Sequence, residues 1–305
     1  MKDVENKVIA ENKELITESI NPDTIQIDQL AVKDILTLMN KEDRKVIEAV
    51  NKVLPNISDV VDIVVNAINN GGHIYFIGAG TSGRLGVLEA VECPPTFSVD
   101  VDLFQAVMAG GYKAVYSAVE SAEDNFEDGK NDLKSRGVTY KDVVIGIAAS
   151  GKTPYVIGAL EWAKKIGAKT VALTCNPDSV IGKIADYKIE AVPGPEVISG
   201  STRMKAGTTQ KMILNMITTT AMIKLGKVYQ NLMVDLHISN QKLKERAINI
   251  IRRVTNAEPS LIEKTLELSR NNVKAAIVMI KNNVSYEEAV DQLNRNNGFI
   301  QKTIK

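Results

Sequence analysis

The chain predicts an α/β fold: a doubly wound, mostly parallel sheet flanked by an N-terminal helical arm and a C-terminal helical bundle. Three observations carry this. Between residues 73 and 225, short apolar runs such as Val143-Val144-Ile145-Gly146-Ile147 alternate with longer helical patterns, as strands covered on both faces do. Two of those runs end in turns rich in glycine and hydroxyl side chains. After Asp235 the strand signal vanishes and the pattern is helical.

Residues 1–30 are polar and irregular, with room for one early helix. Helices are predicted over Val32–Met39 and Glu42–Asn70, the second kinked or split by Pro55 and stopped at Asn69-Asn70-Gly71-Gly72. Strands are expected at 73–78, 102–107, 142–148, 169–174 and 187–192, and helices at 82–92, 111–120, 124–135, 153–166 and 206–225. Pro94 and Pro95 are expected to end the first of these helices at Glu92. Beyond Asp235, helices are predicted at 240–254, 258–269, 272–282 and 285–294, the last with Ser285 as N-cap and Glu288 three residues on. The division expected is an arm over 1–45, a ligand-binding α/β domain over 46–236 and a helical domain over 237–305.

Composition narrows the function. The 305 residues include 44% hydrophobics, enough for a large core. Thirty-seven basic and 37 acidic residues cancel, and aromatics at 5% offer few stacking platforms, which argues against nucleic acid. Two cysteines, Cys93 and Cys175, argue against a disulfide framework and for a reducing compartment. With His73 and His237 as the two histidines, a metal cage is hard to build. The start, Met1-Lys2-Asp3-Val4-Glu5-Asn6-Lys7, lacks the apolar stretch of a signal peptide. The longest apolar stretch, Met212 to Leu225, is interrupted by Asn215 and Lys224 and too short to span a bilayer. A cytoplasmic protein without membrane, nucleic-acid or metal partners is expected.

The turns carry the chemistry. Gly78-Ala79-Gly80-Thr81-Ser82-Gly83 lies between a strand and a helix, and Ala148-Ala149-Ser150-Gly151-Lys152-Thr153-Pro154 repeats the arrangement. Such turns present backbone N–H groups and hydroxyls at the positive end of a helix, which suits a phosphate dianion. Ligands of doubly wound sheets sit beyond the carboxyl ends of the strands, where both turns fall. The first turn also matches G-x-G-x-x-G, so a dinucleotide fold with Asp100 or Asp102 as the ribose acid is the rival. Bare backbone holds a pyrophosphate, so that reading leaves Thr81, Ser82 and the whole second turn without a task. A third hydroxyl-rich stretch, Ser199-Gly200-Ser201-Thr202-Arg203-Met204-Lys205, opens a helix without a Walker A lysine. It is either a polar first turn or a closure over ligand hydroxyls, with Arg203 and Lys205 adding charge against the helix dipole.

Seven stretches resemble a known family: 78–86, Glu92-Cys93-Pro94-Pro95-Thr96, 118–124, 147–155, Cys175-Asn176-Pro177, 201–208 and Asn231-Leu232-Met233-Val234-Asp235. In this order they are similar to the N-acetylmuramic acid 6-phosphate etherases, a family with the sugar isomerase (SIS) fold and its flavodoxin-like layers. The glucokinase regulatory protein shares the architecture with two such domains, and the single-domain length here points to the enzyme. The resemblance implies cleavage of the D-lactyl ether at C3 of the phosphosugar by elimination and water addition, with no metal or redox cofactor. It places the catalytic carboxylates at Glu92 and Glu123, with Glu120 as the nearest alternative. Phosphate falls to Thr81, Ser82, Ser150 and Thr153, and the sugar end to Ser201 and Thr202. Glu196 is a candidate partner for the ring or N-acetyl group. A helix ending at Glu92 would set its carboxylate against the negative dipole end and raise its pKa. Ala148 stands where plain isomerases often carry a hydroxyl, which counts against aldose–ketose isomerisation. A regulatory module that binds without turnover would need neither glutamate. An unbroken helix would separate Ser82 from Glu92 by ~15 Å, so either the helix bends or Glu92 acts on a site shared with another subunit; the SIS resemblance, whose sites commonly lie at a dimer interface, implies a homodimer with composite sites.

Overall fold

The computed structural model describes residues 15–304 except His237 and Ser239, with the backbone alone at Glu120. The expectations for residues 1–14 (no leader, the start of an early helix) and for His237 lie outside the described residues. From Leu15 to Leu30 the arm is three short 3₁₀ turns, Ile16–Glu18, Pro22–Thr24 and Ile27–Gln29. Helix α1 (Val32–Lys52) follows without the break expected near Met39, because Asn40 and Lys41 continue the ladder. The break comes at Val53, and Pro55 sits in the first turn of α2 (Leu54–Asn69), where its missing N–H has no partner to lose.

Strands β1 (Ile74–Gly78), β2 (Phe104–Met108), β3 (Val143–Ile147), β4 (Lys169–Thr174) and β5 (Tyr187–Glu190) form one parallel sheet in the order β2-β1-β3-β4-β5. Every residue of β1 and β3 is buried, which explains their unbroken apolar runs. Helices α3 (Gly80–Phe97), α4 (Gly111–Tyr116), α5 (Phe126–Ser135), α6 (Pro154–Lys165), α7 (Val180–Ile184) and α8 (Lys205–Lys224) complete the alternation. Tyr75, Ile77, Val144 and Ala172 face α5 and α6, while α2 touches β1, β3 and β5, so the sheet is covered on both sides as expected. Met212–Leu225 falls within and just beyond α8, with Ile213, Leu214, Ile217, Ala221 and Met222 fully buried. No helix among the described residues is long and apolar enough to cross a membrane.

Helix α3 runs past both prolines to Phe97 rather than ending at Glu92. The carbonyls of Ala90 and Val91 lose their i+4 donors to the proline rings. The helix nevertheless continues, and Ser98 N–H closes its last turn on the Pro94 carbonyl at 2.9 Å.

Contacts divide the chain into two compact units, residues 1–90 with 102–217 and residues 91–101 with 218–305. The divisions fall inside α3 and α8. The second unit holds a hairpin of β6 (Val228–Tyr229) and β7 (Leu232–Met233) that the sequence did not announce. Helices α9 (Gln241–Thr255), α10 (Pro259–Leu268), α11 (Val273–Asn282), α12 (Tyr286–Arg295) and α13 (Ile300–Thr303) pack around Ala275, Ala276, Ile277 and Val278. Ser285 and Glu288 form the expected capping box of α12.

In the first unit α5 and α6 meet almost backbone to backbone. A Cβ at Gly129 would strike the Tyr155 carbonyl, and one at Gly158 the Phe126 carbonyl. Gly158→Ala should therefore destabilise the protein by about 1–3 kcal/mol in urea unfolding. An unchanged midpoint would disprove the close approach.

Candidate functional site

Strands β1 and β3 are neighbours, but the chain leaves β1 toward β2 on one side and β3 toward β4 on the other. A crevice opens at the carboxyl ends of such a pair. Gly78 lies opposite Ile147 in register, so the two glycine and hydroxyl turns start at the same height. In the first turn a Cβ at Gly83 would come within 2.6 Å of the Gly78 carbonyl, and Gly80 has φ +53°. Those two positions let α3 start directly above β1. In the second turn Thr153 caps α6 and Pro154 begins it, without a capping bond from the Thr153 side chain. The first-turn N–H groups of both helices lack intrahelical acceptors and carry the positive end of the dipole.

The hydroxyls differ in how their protons are used. Ser150 Oγ accepts from the Lys152 N–H at 3.3 Å and keeps its own proton to donate. Thr81, Ser150 and Thr153 are half-buried. Ser82 is 8% exposed, and its Oγ donates at 2.9 Å to Gln210 Oε1 on α8. Gln210 is 1% exposed, and its Nε2 is the buried side-chain polar atom without a partner among the described residues. An unmet buried donor of this kind costs about 1–3 kcal/mol.

Helix α8 brings the third turn to the other two. Gly207 lies against Thr81, and Ala206 packs with Cys175 and Ala149, next to Ser150. Ser201 and Thr202 are half-buried in the turn that precedes this helix. Glu196 is 1% exposed and accepts from the N–H groups of Lys205 at 2.9 Å and Ala206 at 2.8 Å. Burial raises its pKa, and those two bonds and the Lys205 charge oppose the rise. Both oxygens of Glu196 thus face backbone. Lys205 does not serve a ligand: it is fully buried and pairs with Glu42 Oε2 at 2.6 Å. Arg203 points to solvent. The arm secures this turn: Asn21 donates to Glu42 at 2.8 Å, Thr24 to the Val197 carbonyl at 2.9 Å and Ser199 to the Glu18 carbonyl at 3.1 Å. None of these contacts was legible in the sequence, since each joins residues far apart in the chain.

Glu92 is exposed and lies within α3, five residues before Phe97, so the expected placement at a helix end is corrected. One turn earlier, the buried Glu89 pairs with Lys211 of α8 at 2.6 Å. Glu123 lies in the 3₁₀ turn Glu120–Asp124; partial burial, then the Asp124 charge, holds its carboxyl above the usual range. The Glu120 side chain lies outside the described residues. Asp102 lines a depression with His73 and Asp142 near the amino ends of the strands. A ribose acid belongs at the other end, which removes the dinucleotide reading. No three His, Cys, Asp or Glu side chains gather as metal ligands among the described residues.

Residues 56–164 match the glucokinase regulatory protein N-terminal SIS domain and residues 126–220 the SIS domain. An N-acetylmuramic acid 6-phosphate etherase of Bacillus pumilus is 55% identical over 96% of both chains. One from Francisella tularensis subsp. holarctica is 54% identical over 93% of this chain and 97% of its own. A solved structure from Bacteroides fragilis, described as a phosphosugar isomerase involved in capsule formation, shares the fold with a TM-score of 0.50 at 20% identity, covering 66% of this chain and 94% of its own.

The Glu42–Lys205 pair sets a stability test. Burial alone would raise the Glu42 pKa, but hydrogen bonds from Lys205, Lys45 and Asn21 outweigh it and lower the value from 4.5 to about 2. The pair's contribution is full above pH 4.5 and is lost as pH falls toward about 2. Lys205→Met should cost about 3 kcal/mol at neutral pH, because it leaves the buried Glu42 carboxylate with Lys45 and Asn21 alone. Urea unfolding of Glu42→Gln should show a shallower stability loss across that acid window than the parent, and an identical slope would contradict the pairing.

Proposed function

The chain belongs to the N-acetylmuramic acid 6-phosphate etherase family, and from that membership we propose how its residues divide the work. The reaction cleaves the D-lactyl ether of N-acetylmuramic acid 6-phosphate to N-acetylglucosamine 6-phosphate and D-lactate, a step of cell-wall amino-sugar recycling. The chain is thus a carbon–oxygen lyase. An unactivated ether resists displacement, so the sugar first opens to its aldehyde, which acidifies the proton at C2. A base takes that proton, the C3–oxygen bond breaks with the electron pair leaving on lactate, and an acid protonates the departing oxygen. Water then adds at C3 of the alkene and a proton returns to C2.

The observation that carries the assignment is the pair of hydroxyl-bearing helix N-termini at the β1/β3 crevice. They hold the 6-phosphate through the N–H groups and hydroxyls of Thr81, Ser82, Ser150 and Thr153. Ser201 and Thr202, on the turn that α8 carries alongside, serve the sugar hydroxyls. Glu196 acts indirectly, by neutralising the start of α8 and fixing that turn. Glu92 protonates the leaving lactate and then activates water. Glu123 takes part in the other proton step, and partial burial, then the Asp124 charge, makes its carboxylate a stronger base than an exposed one.

Ten helical residues separate Ser82 from Glu92, ~15 Å along α3, more than a hexose phosphate spans between phosphorus and C3. This supports a homodimer in which Glu92 of one protomer serves sugar gripped by its partner. Leu88 and Val91, 42% and 63% exposed beside Glu92, supply apolar surface for such an interface. A cytoplasmic setting is supported by Cys93 and Cys175, both buried as thiols.

Purified protein should release D-lactate from the muramic substrate without added cofactor and place solvent deuterium at C2. Glu92→Gln and Glu123→Gln should each lower kcat by about 10²–10⁴-fold. Mixed dimers of Glu92→Gln and Ser150→Ala subunits should regain activity that neither parent has. Dead mixtures would rule out sharing, and full activity of either glutamine variant would remove that residue from catalysis.

A further inference from the structure

The two serines of the phosphate crevice are in opposite states. Ser150 accepts a backbone N–H and so has a proton to give, whereas Ser82 has already given its proton to Gln210 Oε1. A phosphate dianion accepts hydrogen bonds and offers none, so Ser82 as it stands could present only lone pairs to it. The remedy lies in the same contact. The Gln210 amide is sealed, its Nε2 has no partner among the described residues, and that atom lies too deep for a ligand oxygen to reach. Turning the amide by half a revolution puts Nε2 in the place of Oε1 opposite Ser82. Nε2 then donates to Ser82 Oγ, and the serine proton is released toward the crevice.

We propose that Gln210 is a positioning residue whose amide turns to aim the Ser82 proton at the bound 6-phosphate. This rests on the assignment of Ser82 to the phosphate. In the empty site the serine donates inward, and when the anion arrives the amide reverses and the serine donates outward. No covalent bond changes. Gln210 touches Ser82 and not the sugar, so its removal should weaken the grip on phosphate more than it slows the chemistry.

The test is a cycle of Gln210→Met, Gln210→Glu and Ser82→Ala. Binding of N-acetylglucosamine 6-phosphate is measured by calorimetry, with KM and kcat for the muramic substrate alongside. Gln210→Met should weaken binding and raise KM about tenfold, with a smaller fall in kcat, and should add nothing in the Ser82→Ala background. Gln210→Glu fits the same space, but its carboxylate can only accept and holds the Ser82 proton inward. Its deficit relative to the parent should exceed that of Gln210→Met at neutral pH and shrink as the pH is lowered, when the protonated carboxyl can donate as the amide does. This second variant decides the matter even if the methionine variant fails to fold. Equal losses from Gln210→Met with and without Ser82, or a Gln210→Glu deficit that ignores pH, would overturn the proposal. Undiminished phosphosugar binding by Ser82→Ala would instead remove Ser82 from the phosphate site, and this inference with it.

Discussion

The site depends on the pairing of β1 with β3. Because those strands lie side by side in parallel register, with Gly78 opposite Ile147, two helices start at one level on either side of one crevice. The helix N-termini, with their unpaired N–H groups and partial positive charge, are a consequence of backbone geometry. The residue types matter secondarily: glycines let the backbone reverse close to the strand end, and hydroxyls add donors where the reversal happens.

A third helix N-terminus stands beside those two, and the protein treats it differently. The start of α8 is occupied by the chain's own carboxylate, Glu196, which receives two backbone N–H groups. An anion bound in the crevice therefore meets two open N-termini and one that is already neutralised. The arm reinforces this arrangement through Glu42, whose charge is matched by a fully buried Lys205 on the first turn of α8. The residues that look most suited to holding an anion there, Lys205 and Arg203, are respectively engaged with Glu42 and turned to solvent.

Much of this was legible in the sequence. The five strands of the main sheet begin and end within two residues of their expected positions, because buried parallel strands are written as apolar runs bounded by turns. The turns themselves were visible from glycine and hydroxyl content. What was not legible falls into two kinds. Proline at 94 and 95 was read as a stop, but proline removes a donor without forbidding helical torsions, and the helix runs on to Phe97. The partnerships Glu42–Lys205, Glu89–Lys211 and Ser82–Gln210 join residues more than a hundred positions apart. No local pattern encodes them. Gln210 carried no signal at all, since a neutral amide on a helix reads as surface until the fold buries it.

The bond between Lys205 and Glu42 spans 163 residues. During synthesis Glu42 emerges before the first strand of the main sheet, whereas Lys205 emerges only after the last of them. Until then Glu42 has only its near neighbours Asn21 and Lys45 to hold. The contact that ties the turn at 196–205 to α1 thus waits until the whole main sheet has been made.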